Sequence, residues 1–270
     1  MKKIIFSFFI LLFPHLISQS AFAQLATPNS AGLAFGHVHL NVSDLEYHKR
    51  LWVEHFNGIV IEKGPLTAIK LPNLFLLLTE KAPTMGSQAT VIDHVGFKVR
   101  NMKRFLDKWR KAGFEVDDVF IGAEKQTNAY ITLPDGVYVE LQEDQALAQE
   151  IAGYHLHYYL PDHRALLAWY ADLFELEIKP RGIINTTTNV PGLNLSFAKA
   201  TIRRSPTKGS SIDHIGFEVG DLDAFIEKLE TKGIALDAPY QEIPAIGLKV
   251  AFFTDPAGTR VELTEGLSDY

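Results

Sequence analysis

The sequence predicts an α+β fold: four βαβββ modules paired into two curved, eight-stranded half-barrel sheets with helices outside. Three observations in the 270-residue chain support this. A short His-bearing strand followed seven positions later by a helix-capping residue occurs four times, as His37 to Asp44, His94 to Asn101, His155 to Asp162 and His214 to Asp221. Each copy leads into an amphipathic run, and behind each run lie short β-rich stretches divided by turn residues. A unit of this size cannot cover both faces of its own sheet, so adjacent copies are expected to pair, first with second and third with fourth; first with fourth and second with third is the alternative, and it would reshuffle the ligands.

In chain order, Leu45 to Phe56 reads as the first helix, with Ser43 and Glu46 set as a capping box. Met102 to Ala112, His163 to Phe174 and Leu222 to Lys232 are its counterparts, and Gly58, Gly113 and Gly233 stop three of the four. Strands are expected at Leu74 to Thr79, Ala129 to Leu133, Val137 to Gln142, Leu193 to Ala198, Val250 to Thr254 and Arg260 to Thr264. Pro72-Asn73, Pro134-Asp135-Gly136, Pro191-Gly192 and Asp255-Pro256-Ala257-Gly258 mark the last hairpin of each copy. The polar stretch Glu143 to Ala152 is the expected boundary. It divides a first domain (36–145, modules one and two) from a second (146–270, modules three and four), behind an extension at 24–35.

Residues 1–23 read as a bacterial signal peptide: Lys2 and Lys3 precede an apolar run, Ile4 to Ile17, that exits through Ala21-Phe22-Ala23. Cleavage after Ala23 is expected to release a periplasmic or secreted chain with no membrane attachment. With no cysteine, disulfides and thiolate ligands are excluded, so a bound metal must rest on His, Asp, Glu or water. A net charge of −6 offers no basic stripe for nucleic acid, and 47% hydrophobic residues suffice for a globular core. The expected partner is a small-molecule substrate.

Strand alternation puts His37, His39 and Asn41 on one face, and likewise His155, His157 and Tyr159. The even copies carry His94 and Gly96, or His214 and Gly216, at the matching places. Aligning the final strands on their turns matches Glu140 with Glu262 in the even copies, where the odd copies have Leu77 and Ser196. Each domain then offers two aligned histidines and a glutamate from three strands. Imidazole and carboxylate together suit first-row divalent ions and leave cis positions open for substrate. A lone buried His is usually a hydrogen-bonded core residue, but four in register, with glutamates in alternate copies, favour a metal. His39 and His157 are additional candidates, as fourth ligand, substrate-binding group or supporting donor. His48, His55 and His163 lie on helices and are read as solvated, whereas Trp52, Trp109 and Trp169 are read as core.

Gly-His-Val-His-Leu-Asn-Val-Ser-Asp, Ile-Asp-His-Val-Gly-Phe-Lys-Val, Ile-Asp-His-Ile-Gly-Phe-Glu-Val and the two Val-Glu-Leu strands resemble the vicinal oxygen chelate superfamily over Gly36 to Gly266. That superfamily includes glyoxalase, extradiol dioxygenases and bleomycin-binding proteins. The resemblance implies a divalent metal (Fe, Zn, Mn or Ni) chelating two neighbouring oxygens of a small substrate, with glyoxalase-like lyase or isomerase chemistry or dioxygenase chemistry. It places ligands at His37, His94 and Glu140 in one domain and at His155, His214 and Glu262 in the other. Glyoxalase-type sites add a carboxylate where this chain has Leu77 and Ser196. The extradiol pattern needs a Tyr where this chain has Phe252; Tyr130 fills that slot in the second copy and is the candidate catalytic residue. A non-catalytic protein of the same fold, sequestering a small molecule or a metal, is the alternative.

Overall fold

The computed structural model describes residues 25–270; the signal-peptide reading at 1–23 lies outside the described residues. Module one contains β1 (Leu33–Val42), α1 (Leu45–Phe56), β2 (Ile59–Lys63), β3 (Leu66–Leu71) and β4 (Leu74–Glu80). Module two contains β5 (Ile92–Val99), α2 (Met102–Lys111), β6 (Asp118–Ile121), β7 (Thr127–Thr132) and β8 (Tyr138–Glu143). Module three contains β9 (Ile151–Leu160), α3 (His163–Phe174), β10 (Thr187–Val190) and β11 (Leu193–Lys199). Module four contains β12 (Ile212–Val219), α4 (Leu222–Thr231), β13 (Gln241–Ile243), β14 (Leu248–Thr254) and β15 (Arg260–Glu265). No helix among the described residues is long and apolar enough to cross a membrane.

Asp44, Asn101 and Asp221 cap their helices by accepting from Tyr47 N, Arg104 N and Ala224 N. Asp162 makes no such bond. Ser43 does not form the expected capping box; its N–H and hydroxyl donate to Asp135, at the turn between β7 and β8.

The α+β architecture of four modules in two curved sheets is as expected, but its pairing is not. The eight-stranded sheet runs β13-β14-β15-β12-β1-β4-β3-β2 and the other β10-β11-β9-β5-β8-β7-β6. Module one therefore shares a sheet with module four, and module two with module three, which corrects the expectation that adjacent copies pair throughout. A cut at 145/146 falls between β8 and β9 of one sheet. The cause is non-local. Residues 81–91 and 200–211, the links out of modules one and three, run side by side, joined by Thr84 N to Gly209 O (2.8 Å), Val91 N to Ser205 O (3.0 Å) and Ser211 N to Met85 O (2.9 Å). Each carries the chain from one sheet to the other. The hairpin tips of modules one and three also dock across, with Gly153 N donating to Pro72 O and Phe35 N to Pro191 O.

The second sheet has seven strands rather than eight. Between α3 and β10 the chain forms only isolated bridges, Ile178 with Thr188 and Arg181 with Ile184. Pro180 offers no N–H for a ladder, and Gly182, at φ +58°, turns the chain back.

In both sheets the middle pair is antiparallel, β1 on β12 and β9 on β5, and each inner strand has its own module's last strand parallel on its other side. Leu33, Phe35, Val38, Leu40 and Val42 of β1 face a core that continues through both sheets and all four helices. The change of parity between Phe35 and Val38 marks a β-bulge at Gly36; Tyr154 forms its counterpart in β9. Both bulges immediately precede a histidine, and they turn His37 and His155 onto the face opposite the core. Trp52 and Trp109 are fully buried, as expected, and Trp169 packs at the core margin. His48 is not solvated: it is fully buried, with Nε2 3.0 Å from Asp135 Oδ2, so it ties α1 to the β7–β8 turn. His55 packs edge-on against Trp109 and Phe114.

Candidate metal centres

Two clusters lie on the faces opposite the core. In the eight-stranded sheet, His37 Nε2 and His214 Nε2 stand 2.9 and 2.8 Å from Glu262 Oε2. In the seven-stranded sheet, His94 Nε2 and His155 Nε2 stand 2.9 and 3.1 Å from Glu140 Oε2, and 3.3 Å from each other. His157 offers a further nitrogen to the second cluster. All six principal residues are buried.

The six predicted ligands are thus gathered into two groups, but not the expected ones. His37 meets His214 and Glu262 rather than His94 and Glu140, and His155 meets His94 and Glu140 rather than His214 and Glu262. This exchange follows from β1 lying on β12 and β9 on β5. His39 stacks on His214 at 4.3 Å, with its Nε2 2.8 Å from Thr79 Oγ1, and lies beside its cluster. Tyr130 is at the seven-stranded centre, its hydroxyl 3.5 Å from Glu140 Oε2. Burial and the Glu140 charge push that phenol well above its usual range.

The His-x-His and His-x-Gly alternation now has a steric reason. Gly216 lies opposite His37, and Gly96 opposite His155. A Cβ on Gly216 would stand 1.9 Å from His37 Cε1, and one on Gly96 would stand 2.1 Å from His155 Cε1. Each glycine leaves the space through which the neighbouring module's imidazole reaches its glutamate.

Asp93 and Asp213, one residue before the even-module histidines, hold His94 Nδ1 at 2.7 Å and His214 Nδ1 at 2.6 Å. Each aspartate also accepts from an arginine: Arg204 Nη1 at 2.5 Å and Arg260 Nη1 at 3.1 Å. The repeated Ile-Asp-His carried this signal in the sequence; the arginines, on a link and at the head of a last strand, carried none.

Burial disfavours a charge on every ring. At His94 and His214 the aspartate and glutamate partners outweigh it and raise the pKa. At His37 and His155 burial wins, pushing His37 below its usual value and, with Arg181 adding to it, His155 down to about 4. Burial would raise both glutamates, but their imidazole neighbours hold them well below the carboxylate range. Ionised glutamates and neutral His37 and His155 rings are protonation states that metal ligation requires, whereas His94 and His214, whose pKa values are raised, would release a proton when an ion binds.

The donor set fits a divalent ion. Ligand atoms about 2.1 Å from one ion stand about 3.0–3.4 Å apart at octahedral or tetrahedral angles; the separations here are 2.8–3.3 Å. Nδ1 of His37 and His155 is buried without a partner, as it is in His39 and His157. The eight-stranded centre opens into a cavity of about 380 Å³, lined by His39, His214 and Glu262, by the apolar Leu77, Ile246, Leu248, Val250 and Phe252, and by the cationic Lys81 and Arg260. At the other centre Asn128 donates to Glu140 Oε1, and Arg181 is buried against Glu124 (3.1 Å) and Ser196 Oγ (3.3 Å).

The family model for the glyoxalase/bleomycin resistance protein/dioxygenase superfamily matches residues 154–263, covering most of modules three and four. Glyoxalase I from Zea mays is similar in fold, with a TM-score of 0.67 at 15% identity, covering 88% of this chain and 94% of the maize chain. A candidate dioxygenase from Bacillus subtilis superposes with a TM-score of 0.65 at 10% identity, covering 90% of this chain and 86% of its own. No curated protein matches the sequence. The match over residues 154–263 and the likeness to these two structures show that the four modules and two curved sheets have the fold of the glyoxalase/bleomycin resistance protein/dioxygenase superfamily.

Proposed function

We propose that the protein is an exported, metal-dependent enzyme that acts on a small vicinally oxygenated substrate, by lyase, isomerase or dioxygenase chemistry. The observation that carries the reading is the His37–His214–Glu262 cluster at the head of an open cavity, repeated as His94–His155–Glu140 in the other sheet. Bound there, a divalent ion of the Fe, Zn, Mn or Ni type would supply Lewis-acid polarisation of two neighbouring oxygens.

The chain's own residues do the rest. Asp213 and Arg260 fix the His214 ring so that Nε2 points at the ligand position. His39, with Nδ1 buried and free beside that ring, is placed to take a proton from a substrate carbon or hydroxyl. Phe252 and Leu248 keep water from the substrate body. Leu77 and Ser196 stand where glyoxalase-type centres have a carboxylate, which leaves two histidines and one glutamate, the ligand set of non-haem iron oxygenases as well as of Lewis-acid enzymes.

The test is metal analysis of the exported protein and of His94→Ala and His214→Ala. Two equivalents in wild type and one in each variant are expected; a metal-free wild type that takes up none of the four ions overturns the proposal. Oxygen uptake with diphenols assigns the dioxygenase branch, and its absence with turnover of 2-oxoaldehyde adducts the lyase branch. Recovery of mature protein beginning at Gln24 outside the cytoplasm tests the export.

A further inference from the structure

The two centres share one ligand frame but face opposite chemistry. Opposite His37 and His39 stand Phe75 and Leu77; opposite His155 and His157, in the same register, stand Asn194 and Ser196. Across from Glu262 is Phe252, and across from Glu140 is Tyr130. One pair further along, Val250 faces Thr264 where Asn128 faces Gln142. Beside Leu77 is Ala68, and beside Ser196 is Thr187. Five positions equivalent by register are thus apolar in one sheet and polar in the other.

The difference extends beyond the ladder. Phe75, Leu77, Leu248 and Val250 form one buried apolar cluster lining or backing the cavity of the His37 centre. At the His94 centre the segment that replaces a strand of module three brings in Arg181, buried on Glu124 and Ser196. Asn128 Oδ1 and Gln142 Oε1 are buried there without partners. An apolar molecule placed on that face would leave those groups unsatisfied, whereas a hydrogen-bonding one would satisfy them. On the other face the preference is reversed, because a charged body would be stripped of water against Phe75, Leu77 and Val250; of the two cations that also line this cavity, Lys81 and Arg260, the latter is already paired with Asp213 at 3.1 Å.

Resting on the metal-centre reading above, we infer that the centres select different ligand bodies. The His37 centre takes a vicinally oxygenated molecule with an uncharged, apolar body, and the His94 centre admits only a polar one.

The experiment is calorimetric titration of the zinc-loaded full chain with 4-tert-butylcatechol and with 3,4-dihydroxybenzoate, which share the vicinal oxygens and differ in the body. The apolar catechol is expected to bind one site per chain, to lose that site in His214→Ala and to keep it in His94→Ala. At that site it should bind at least ~10-fold more tightly than the carboxylated one. Leu77→Ser/Val250→Asn, which copies the polar face, should erase most of that preference; the two histidine variants decide the matter if it fails to fold. Zinc bound at both centres with equal affinities for the two catechols, or with the apolar one at both centres, overturns the inference and leaves the metal-centre reading standing. Failure to load zinc or any other divalent ion overturns that reading, and the inference with it.

Discussion

Gly216→Ala is the sharpest perturbation the structure offers, because it adds one methyl group and no charge. The new Cβ would lie 1.9 Å from His37 Cε1, 2.3 Å from Nδ1 and 2.5 Å from Nε2, against ordinary contact from 3.4 Å. The ring must therefore retreat by about 1.5 Å, a distance that non-bonded carbon atoms enforce. Its Nε2 now sits 2.9 Å from Glu262 Oε2, and a metal bond near 2.1 Å tolerates no such shift. Overpacking should cost about 1–3 kcal/mol in stability. Metal affinity at this centre should fall by more than the ~10–100-fold that losing a supporting partner costs. The assay is metal content after dialysis against a weak chelator, read beside a thermal melt. One equivalent in place of two, with a cooperative melt retained, is the expected result. Gly220→Ala is the control: it lies just past the end of the same strand and its added Cβ meets nothing nearer than Gly32 O at 3.8 Å, so metal content should not change. If Gly216→Ala holds two equivalents with wild-type affinity, the claim that this glycine exists to seat His37 is refuted.

Asp93→Asn and Asp213→Asn should each weaken metal binding at their own centre by ~10–100-fold while all three ligands remain, measured by competition with a chromophoric chelator. Glu124 is held below its usual pKa: burial raises it, but Tyr154 and Arg181 outweigh that. Its lowered folded-state value means that it stabilises the fold above pH 4.5 and ceases to do so as pH falls through that value. Glu124→Gln should therefore be less stable at pH 7, by about 1 kcal/mol after solvent screening, with the gap closing below pH 4.5 in urea titrations. His48→Ala empties a fully buried site and strips Asp135 of a partner; a loss of about 2–3 kcal/mol is expected, and an unchanged melt would show that the α1 anchor is idle. Tyr170→Phe removes the donor to buried Asp255 Oδ2 and should cost about 1–3 kcal/mol without altering metal content.

Most elements were legible because they depend on near neighbours. Asp44, Asn101 and Asp221 announce helices, and Pro134-Asp135-Gly136 announces a hairpin, through backbone preferences that act within four residues. His48 was misread because helical position alone does not reveal that a neighbouring hairpin covers it. The contacts of Arg181 were not legible because it works from a segment that departs from the repeat, where no equivalent copy marks its partners.

Local pattern sufficed for the four modules, for the face that the paired histidines of each odd strand share, and for the six candidate ligand residues, since a two-residue period and a repeated turn act between near neighbours. Their division into centres belonged to the tertiary structure alone. His37 is as compatible in pattern with His94 and Glu140 as with His214 and Glu262, and both even modules carry a glycine two residues beyond the histidine. The choice is made by hydrogen bonds between residues 81–91 and 200–211, more than a hundred positions apart, and by hairpin tips docking on the opposite sheet. Such contacts exist only once the chain has closed on itself, so no local pattern encodes them.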